Sequence, residues 1–307
     1  MAMNPKAVSE KALEVLLQLG RVATGRQIAG RNLTVFPDDV FLTSYPRSGN
    51  TWTRFLIGNL IYQDEPTTFS NIEQRIPEIY FNSDHRMRSL PRPRILKSHE
   101  CFQPHYPRVI YIVRDPRDVA VSFYHHNIKA GNIPDDYPLD DFIPRFIAAE
   151  FDRKWGSWAD SVQSWLLLRE NHRGFILMRY EEMKRNTAHE LTRLAVFLDL
   201  CRFRQIDASP ERLQRAIELS SPERMRELEK QQSADWVLTK RTRADKPFIR
   251  TATSGGWKSR LSPSSVAAIE AAWGPWMQKL GYELVSGHSA GVQPDSASTA
   301  KPAASTG

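Results

Sequence analysis

The stretch Val40 to Trp52 reads V-F-L-T-S-Y-P-R-S-G-N-T-W, and it places chemistry-bearing groups directly after a run that favours a buried strand. A Ser/Pro/Gly turn follows the run, and then Trp52, Phe55, Leu56 and Leu60 recur at helical spacing. A helix that starts here leaves the backbone N–H groups of Ser48, Gly49, Asn50 and Thr51 without intrahelical partners, and their partial positive charge favours an anion. Aligned on Gly49, the stretch is a Walker A loop without its lysine, because Asn50 stands where that cation belongs. Arg47 supplies a cation just before the glycine and Trp52 an aromatic face just after it. The loop can hold a phosphate and offer charge to a leaving group, while lacking the usual equipment for magnesium-triphosphate chemistry. The plain alternative is an ordinary strand-to-helix turn with a surface arginine.

Three further groups of residues sit where strands are expected to end. Arg94 to Lys97 reads as a short strand followed by Ser98, His99 and Glu100. The carboxyl ends of strands in an open parallel sheet line the ligand crevice, so His99 is a candidate general base and Lys97 a cation beside it. Arg108 to Val113, R-V-I-Y-I-V, is the clearest buried strand, and it runs into Arg114-Asp115-Pro116-Arg117-Asp118. There Asp115 suits an N-cap, Pro116 the first helical position, and Asp118 the acidic member of a capping box. Arg114 and Ser122 could converge on one oxyanion along the helix flank, or could serve as a capping arginine and a surface serine. Tyr180 follows a fourth expected strand, Phe175 to Met178.

The remaining elements must position these groups. Ser9 to Val22 reads as an amphipathic helix with Leu13, Leu16, Leu17 and Val22 on one face, suited to packing on the domain's own core or to a membrane surface or partner. Gln63 to Pro93 has little periodicity and reads as a substrate-facing loop region. Trp158, Val162, Trp165, Leu166 and Arg169 have the spacing of a core-facing helix, and His125 and His126 read as the polar end of the helix before it. Ser209-Pro210, Ser221-Pro222 and Ser262-Pro263 are helix starts, the last helix being interrupted at Gly274-Pro275 and closed by Gly281. Lys230 to Trp257 reads as a mobile loop or lid. Together these predict an α/β domain whose strands form an open parallel sheet. The expected organisation is a helical extension over 1–37, a catalytic domain over 38–284 and a disordered Ser/Ala/Gly/Pro tail over 285–307.

The chain of 307 residues, 41% hydrophobic, can bury a sizeable core, and its net charge of +7 suits an anionic ligand. Cys101 and Cys201 fit neither a disulfide framework nor a metal spacing, and no apolar run approaches membrane-spanning length. A soluble protein of the cytoplasm is expected.

Taken jointly, S-Y-P-R-S-G-N-T-W, K-S-H, V-R-D-P-R-D-V-A-V-S, R-Y-E-E-M and F-I-R…G-G-W-K resemble, in order and spacing, the cytosolic-type sulfotransferases. The resemblance covers roughly Asp38 to Gly281 and implies an α/β, P-loop-like three-layer fold with a central parallel β-sheet flanked by helices. It implies transfer of a sulfuryl group from 3′-phosphoadenosine 5′-phosphosulfate (PAPS) to an acceptor hydroxyl, leaving adenosine 3′,5′-bisphosphate (PAP), with no metal required and no nucleic acid as partner. By the same resemblance Arg47, Ser48, Gly49, Asn50 and Thr51 hold the 5′-phosphosulfate, and Trp52 stacks on adenine. Arg114, Ser122 and Arg250 bind the 3′-phosphate, Tyr180 and Ser220 contact the adenine region, His99 is the base, and Lys97 stabilises the transferring group. Departures from the pattern are Arg47 for the usual loop lysine, Thr251-Ala252 in the lid, and Pro222 at the adenine-stacking phenylalanine. Lys258…Ser262-Pro263 replaces the usual dimer motif, so that mode of dimerisation is not expected. The acceptor, an alcohol, phenol, lipid or sugar, is left open, with Phe81, Tyr106, Phe142 and Phe146 as candidates for its pocket. Rival readings are a P-loop kinase or NTPase, and a basic protein that binds nucleic acid or a membrane surface.

Overall fold

The computed structural model of the protein describes residues 33–286, except 152, 202, 204, 205, 251 and 252, together with 13, 15–17, 19, 20, 23 and 24. Its centre is a parallel sheet of four strands, β1 (Val40–Ser44), β2 (Ile95–Ser98), β3 (Arg108–Val113) and β4 (Phe175–Arg179), in the order β2-β1-β3-β4. Val40 lies opposite both Ile95 and Arg108, and Val109 opposite Phe175. The chain leaves β1 to one side for β2 and then crosses to the other for β3. A ligand crevice is expected at that change of direction, at the carboxyl ends of the strands.

Both faces of the sheet are covered, which is why its strands read as nearly continuous apolar runs. Phe41, Val109, Tyr111 and Val113 point into one core, shared with α4 (Pro116–Ala130), α5 (Leu139–Ile147), α6 (Trp158–Arg169) and α11 (Pro263–Lys279). Val40, Leu42, Ile110, Ile112 and Met178 point into the other. That core is completed by α1 (Asn50–Ile61), α7 (Tyr180–Arg185), α8 (Thr187–Leu200) and α9 (Pro210–Leu219). The alternation along β1 and β3 follows from the two-residue period of a strand.

Several expectations are corrected. Gln63 to Pro93 carries two short helices, α2 (Ile72–Arg75) and α3 (Asp84–Arg88). They are held by buried Phe69, Ile72, Ile76 and Met87 and by Arg54, whose guanidinium donates to Ile76 O and Glu73. Lys230 to Trp257 is packed as well: α10 (Pro222–Gln232) leads to Trp236 and Phe248, which pack with Phe55, Phe69, Met225 and Leu228. Lys129 Nζ donates to the carbonyls of Arg243 and Lys246 across the same segment. α11 runs unbroken through Gly274-Pro275, because burial of Trp273, Gly274 and Met277 outweighs the one hydrogen bond that proline removes.

Toward the amino terminus, Leu33 and Val35 are already in the core. The helix before them leaves Leu13, Leu16 and Leu17 at 58%, 65% and 55% exposure, so these side chains do not pack on the domain. Val22, Arg21, Arg26 and Arg31 lie outside the described residues, as do Thr251, Ala252 and the tail beyond Ser286. Among the described residues no helix is long and apolar enough to cross a membrane.

Candidate active site

Each strand delivers residues to one cavity of about 480 Å³ at the carboxyl edge of the sheet. β1 leads to Arg47, Gly49, Asn50, Thr51 and Trp52, β2 to Lys97 and His99, β3 to Arg114 and Ser122, and β4 to Tyr180. Arg250 and Gly256 close the cavity from the C-terminal segment.

The turn after β1 is shaped by two residues with positive φ, Arg47 at 68° and Gly49 at 101°. Gly49 is the N-cap of α1, without a side-chain cap and without an acidic residue in the first turn. The N-terminal partial charge is therefore uncompensated, which favours an anion at Asn50 and Thr51. Glycine is required at 49 for a second reason, since a Cβ there would stand 2.5 Å from Cδ2 of Tyr180. Ser48 is fully buried, and its Oγ has no hydrogen-bond partner.

Arg47 Nε donates to Ser122 Oγ at 3.2 Å, and its guanidinium lies 4.6 Å from the Phe248 ring. Arg114 donates to Arg47 O at 3.3 Å and to Thr253 O at 2.9 Å, stacks 4.4 Å over Tyr180, and keeps a buried Nε without a partner. Burial, then the neighbouring Arg114 and Arg250, bring the Arg47 guanidinium down to about 10, and burial with Arg260 and Arg114 does the same to Arg250. Both remain charged at neutral pH, so the cavity holds crowded cations that an anion would relieve. The unpartnered Arg114 Nε and the free first turn of α1 fit a ligand bearing phosphate-like oxygens, whereas the buried Ser48 does not line the cavity.

Trp52 stands edge-on to Tyr180 at 5.6 Å, and its Nε1 donates to Ser220 O at 3.0 Å. Ser220 itself is fully buried away from the cavity, where its Oγ accepts from Asn59; its connection to the site runs through Trp52. Lys184, which sequence reasoning missed, lies 5.0 Å over the Trp52 ring.

His99 Nδ1 and Ser44 O are 2.7 Å apart. A carbonyl only accepts, so Nδ1 carries the proton and Nε2 keeps its lone pair. Burial and the Lys97 ammonium push His99 well below the ordinary 6.5, against the opposing bond to Ser44. The His99 N–H donates to Tyr80 Oη at 2.8 Å, which holds the residue at the end of β2. Lys97 is 3% exposed and its Nζ is 2.5 Å from Glu78. No sequence signal marked Tyr80 or Glu78, since both lie in the segment that lacked periodicity.

Phe81 lines the cavity, but Tyr106, Phe142 and Phe146 are core residues with at most 1% exposure. Their places are taken by Tyr80, Phe123, Trp155, Leu238 and Phe248. His126, read as a helix end, instead lines this wall, because α4 continues past it to Ala130. Asp118 forms no capping box: its carboxylate accepts from the N–H groups of Gly255 (2.6 Å) and Trp257 (3.0 Å) and so holds the closing segment over the site.

The chain is similar in sequence and in fold to known proteins. Sulfotransferase 1B1 of Mus musculus is 28% identical over 253 residues, 77% of this chain and 82% of that protein. Sulfotransferase 1A1 of Canis lupus familiaris is 32% identical over 178 residues, 53% and 59% of the two chains. Among solved structures, a mouse sulfotransferase complexed with PAP has a TM-score of 0.64 at 23% identity, covering 80% of this chain and 86% of that one. Retinol dehydratase in complex with retinol and PAP has a TM-score of 0.64 at 18% identity, covering 80% and 83%. The model of the sulfotransferase domain family matches residues 37–281, from three residues before β1 to the glycine that follows α11, and the chain belongs to that family.

Proposed function

We propose that this sulfotransferase uses PAPS as donor and an apolar small molecule as hydroxyl acceptor, with Nε2 of His99 as the base. The observation that carries the reading is the tautomer of His99: Nδ1 is committed to Ser44 O, so the lone pair of Nε2 is available in the cavity. Bound PAPS supplies a sulfuryl group already joined to a phosphate leaving group. The residues around it would divide the work. Arg47, Ser48, Gly49, Asn50 and Thr51 hold the 5′ end, and Arg114, Ser122 and Arg250 the 3′-phosphate. Trp52 and Tyr180, with Ser220 behind Trp52, hold the adenine. His99 takes the hydroxyl proton, and Lys97 and Arg47 place positive charge where negative charge develops.

The aromatic wall of Tyr80, Phe81, Phe123, Trp155 and Phe248 supports an apolar or aromatic acceptor over a sugar. Both cysteines are free, which suits the reducing cytoplasm. Exposed Leu13, Leu16 and Leu17 accord with a peripheral membrane contact, and loss of liposome co-sedimentation on replacing these three leucines by serine in the full chain would support it.

The test is calorimetric titration with PAP in EDTA. Saturable binding is expected. Failure to bind PAP, followed by binding of ATP once Mg²⁺ is restored, would give the cavity to a kinase or NTPase instead.

A further inference from the structure

Among the residues that line the cavity, only Glu78 and Asp118 carry carboxylates. Asp118 is occupied by backbone N–H groups, which leaves Glu78 unexplained. Glu78 is 3% exposed and faces Lys97 at 2.5 Å. Its placement is built into the backbone. Lys97 N donates to Pro77 O at 2.8 Å and Ile79 N donates to Lys97 O at 3.1 Å, so Pro77 to Ile79 forms a parallel bridge along β2 with Glu78 beside Lys97. The N–H of Glu78 is in turn fixed by Glu73, which is paired with Arg54. A lysine side chain is a flexible stem bearing a compact charge, and burial favours its neutral form unless an anion opposes it.

Resting on the role given to Lys97 above, we propose that Glu78 is a positioning residue for sulfuryl transfer. It keeps the Lys97 ammonium charged and held at the β2 edge, beside His99, until a sulfuryl oxygen of the donor competes for it. The other groups facing Lys97 are the charged Arg54 from α1 and Glu73 from α2 and the neutral His99 at the end of β2, with Arg47 reaching His99 from the loop. Burial pulls Lys97 below its ordinary 10.5, and Glu78 is the largest influence opposing it.

The test uses the full chain with Glu78→Gln, Lys97→Met and the double variant. The Lys97 ¹³Cε resonance, identified by its loss in Lys97→Met, is titrated by NMR in the ligand-free protein, and PAPS and PAP are compared by calorimetry across pH. In Glu78→Gln the Lys97 midpoint is expected to drop by about one pH unit or more. The pH above which PAPS loses its advantage over PAP should drop with it. PAP affinity at neutral pH should stay within about twofold, because PAP lacks the sulfuryl group. Should Glu78→Gln fail to fold, the double variant restores neutrality, and its PAPS-to-PAP ratio should equal that of Lys97→Met. An unchanged Lys97 midpoint, or a double variant that discriminates differently from Lys97→Met, overturns the proposal. A Lys97→Met protein with wild-type preference for PAPS would instead remove Lys97 from the reading above, a separate failure.

Discussion

The carbonyl of Ser44, the last residue of β1, accepts the Nδ1 proton of His99, the residue just past β2. Two neighbouring strands thereby fix one tautomer of a residue that lines the cavity. Replacement of His99 by alanine should lower kcat by about 10²–10⁴-fold, the usual contribution of a general base, with PAP affinity nearly unchanged. Turnover of His99→Ala at the wild-type rate would take His99 out of the mechanism.

With His99 in the proposed role of base, the burial that holds its pKa low should set the acid limb of activity. A base held well below 6.5 stays unprotonated as the pH falls past that value. The plot of kcat/KM against pH should stay flat through 6.5 and bend only well below it. A bend at 6.5 or above would mean that a different group acts as base.

Histidines held neutral also make folding sensitive to acid. His126 is brought down to about 3 by burial and then Arg47, and His125 to about 4 by burial and then Arg250. The unfolded chain takes up protons below its ordinary 6.5 that the folded chain refuses, so stability falls as pH drops through 6.5 toward these lower values. The urea midpoint should be lower at pH 5 than at pH 7, and His126→Gln should reduce the difference. Identical midpoints at the two pH values in the wild type would contradict this assignment.

Arg114 reaches the site from β3 with an unpartnered Nε and only a 3.9 Å approach to Asp118. Arg114→Ala should weaken PAP by about 10–100-fold, the scale of a lost charge-assisted contact. Adenosine 5′-monophosphate, lacking the 3′-phosphate, should lose much less. Equal losses, measured by calorimetry, would make Arg114 structural.

Gly49 and Gly255 both have positive φ, 101° and 76°, but only Gly49 is crowded. A Cβ at 49 meets the buried ring of Tyr180, whereas at 255 nothing lies within 4 Å. Gly255→Ala should cost only the backbone strain, about 1–3 kcal/mol, and Gly49→Ala clearly more, with loss of PAP binding. Thermal melting of the two variants compares them directly, and equal melting temperatures would refute the clash.

The strands and the P-loop-like turn were legible because a strand covered on both faces writes itself as a nearly continuous apolar run, as V-F-L in β1 and V-I-Y-I-V in β3 do. Helix starts at Pro210, Pro222 and Pro263 were legible because the Ser-Pro signal acts within neighbouring residues. Asp118 was misread for the converse reason: its local pattern fits a capping box, and only the folded chain brings the N–H groups of Gly255 and Trp257 within its reach.

The sequence by itself determined the order of the strands' chemistry, with Arg47, His99, Arg114 and Tyr180 each following a strand, because those assignments rest on local patterns. Tertiary structure alone decided which aromatic residues face the cavity and which are core, and so separated Phe81 from Tyr106, Phe142 and Phe146. It also decided that Lys97 is paired with Glu78 and that Ser44 sets the His99 tautomer. These last contacts join residues 19 and 55 positions apart, across segments whose own composition says nothing about the partner. Only the packing of β2 against β1, and of the Pro77–Ile79 bridge against β2, creates them.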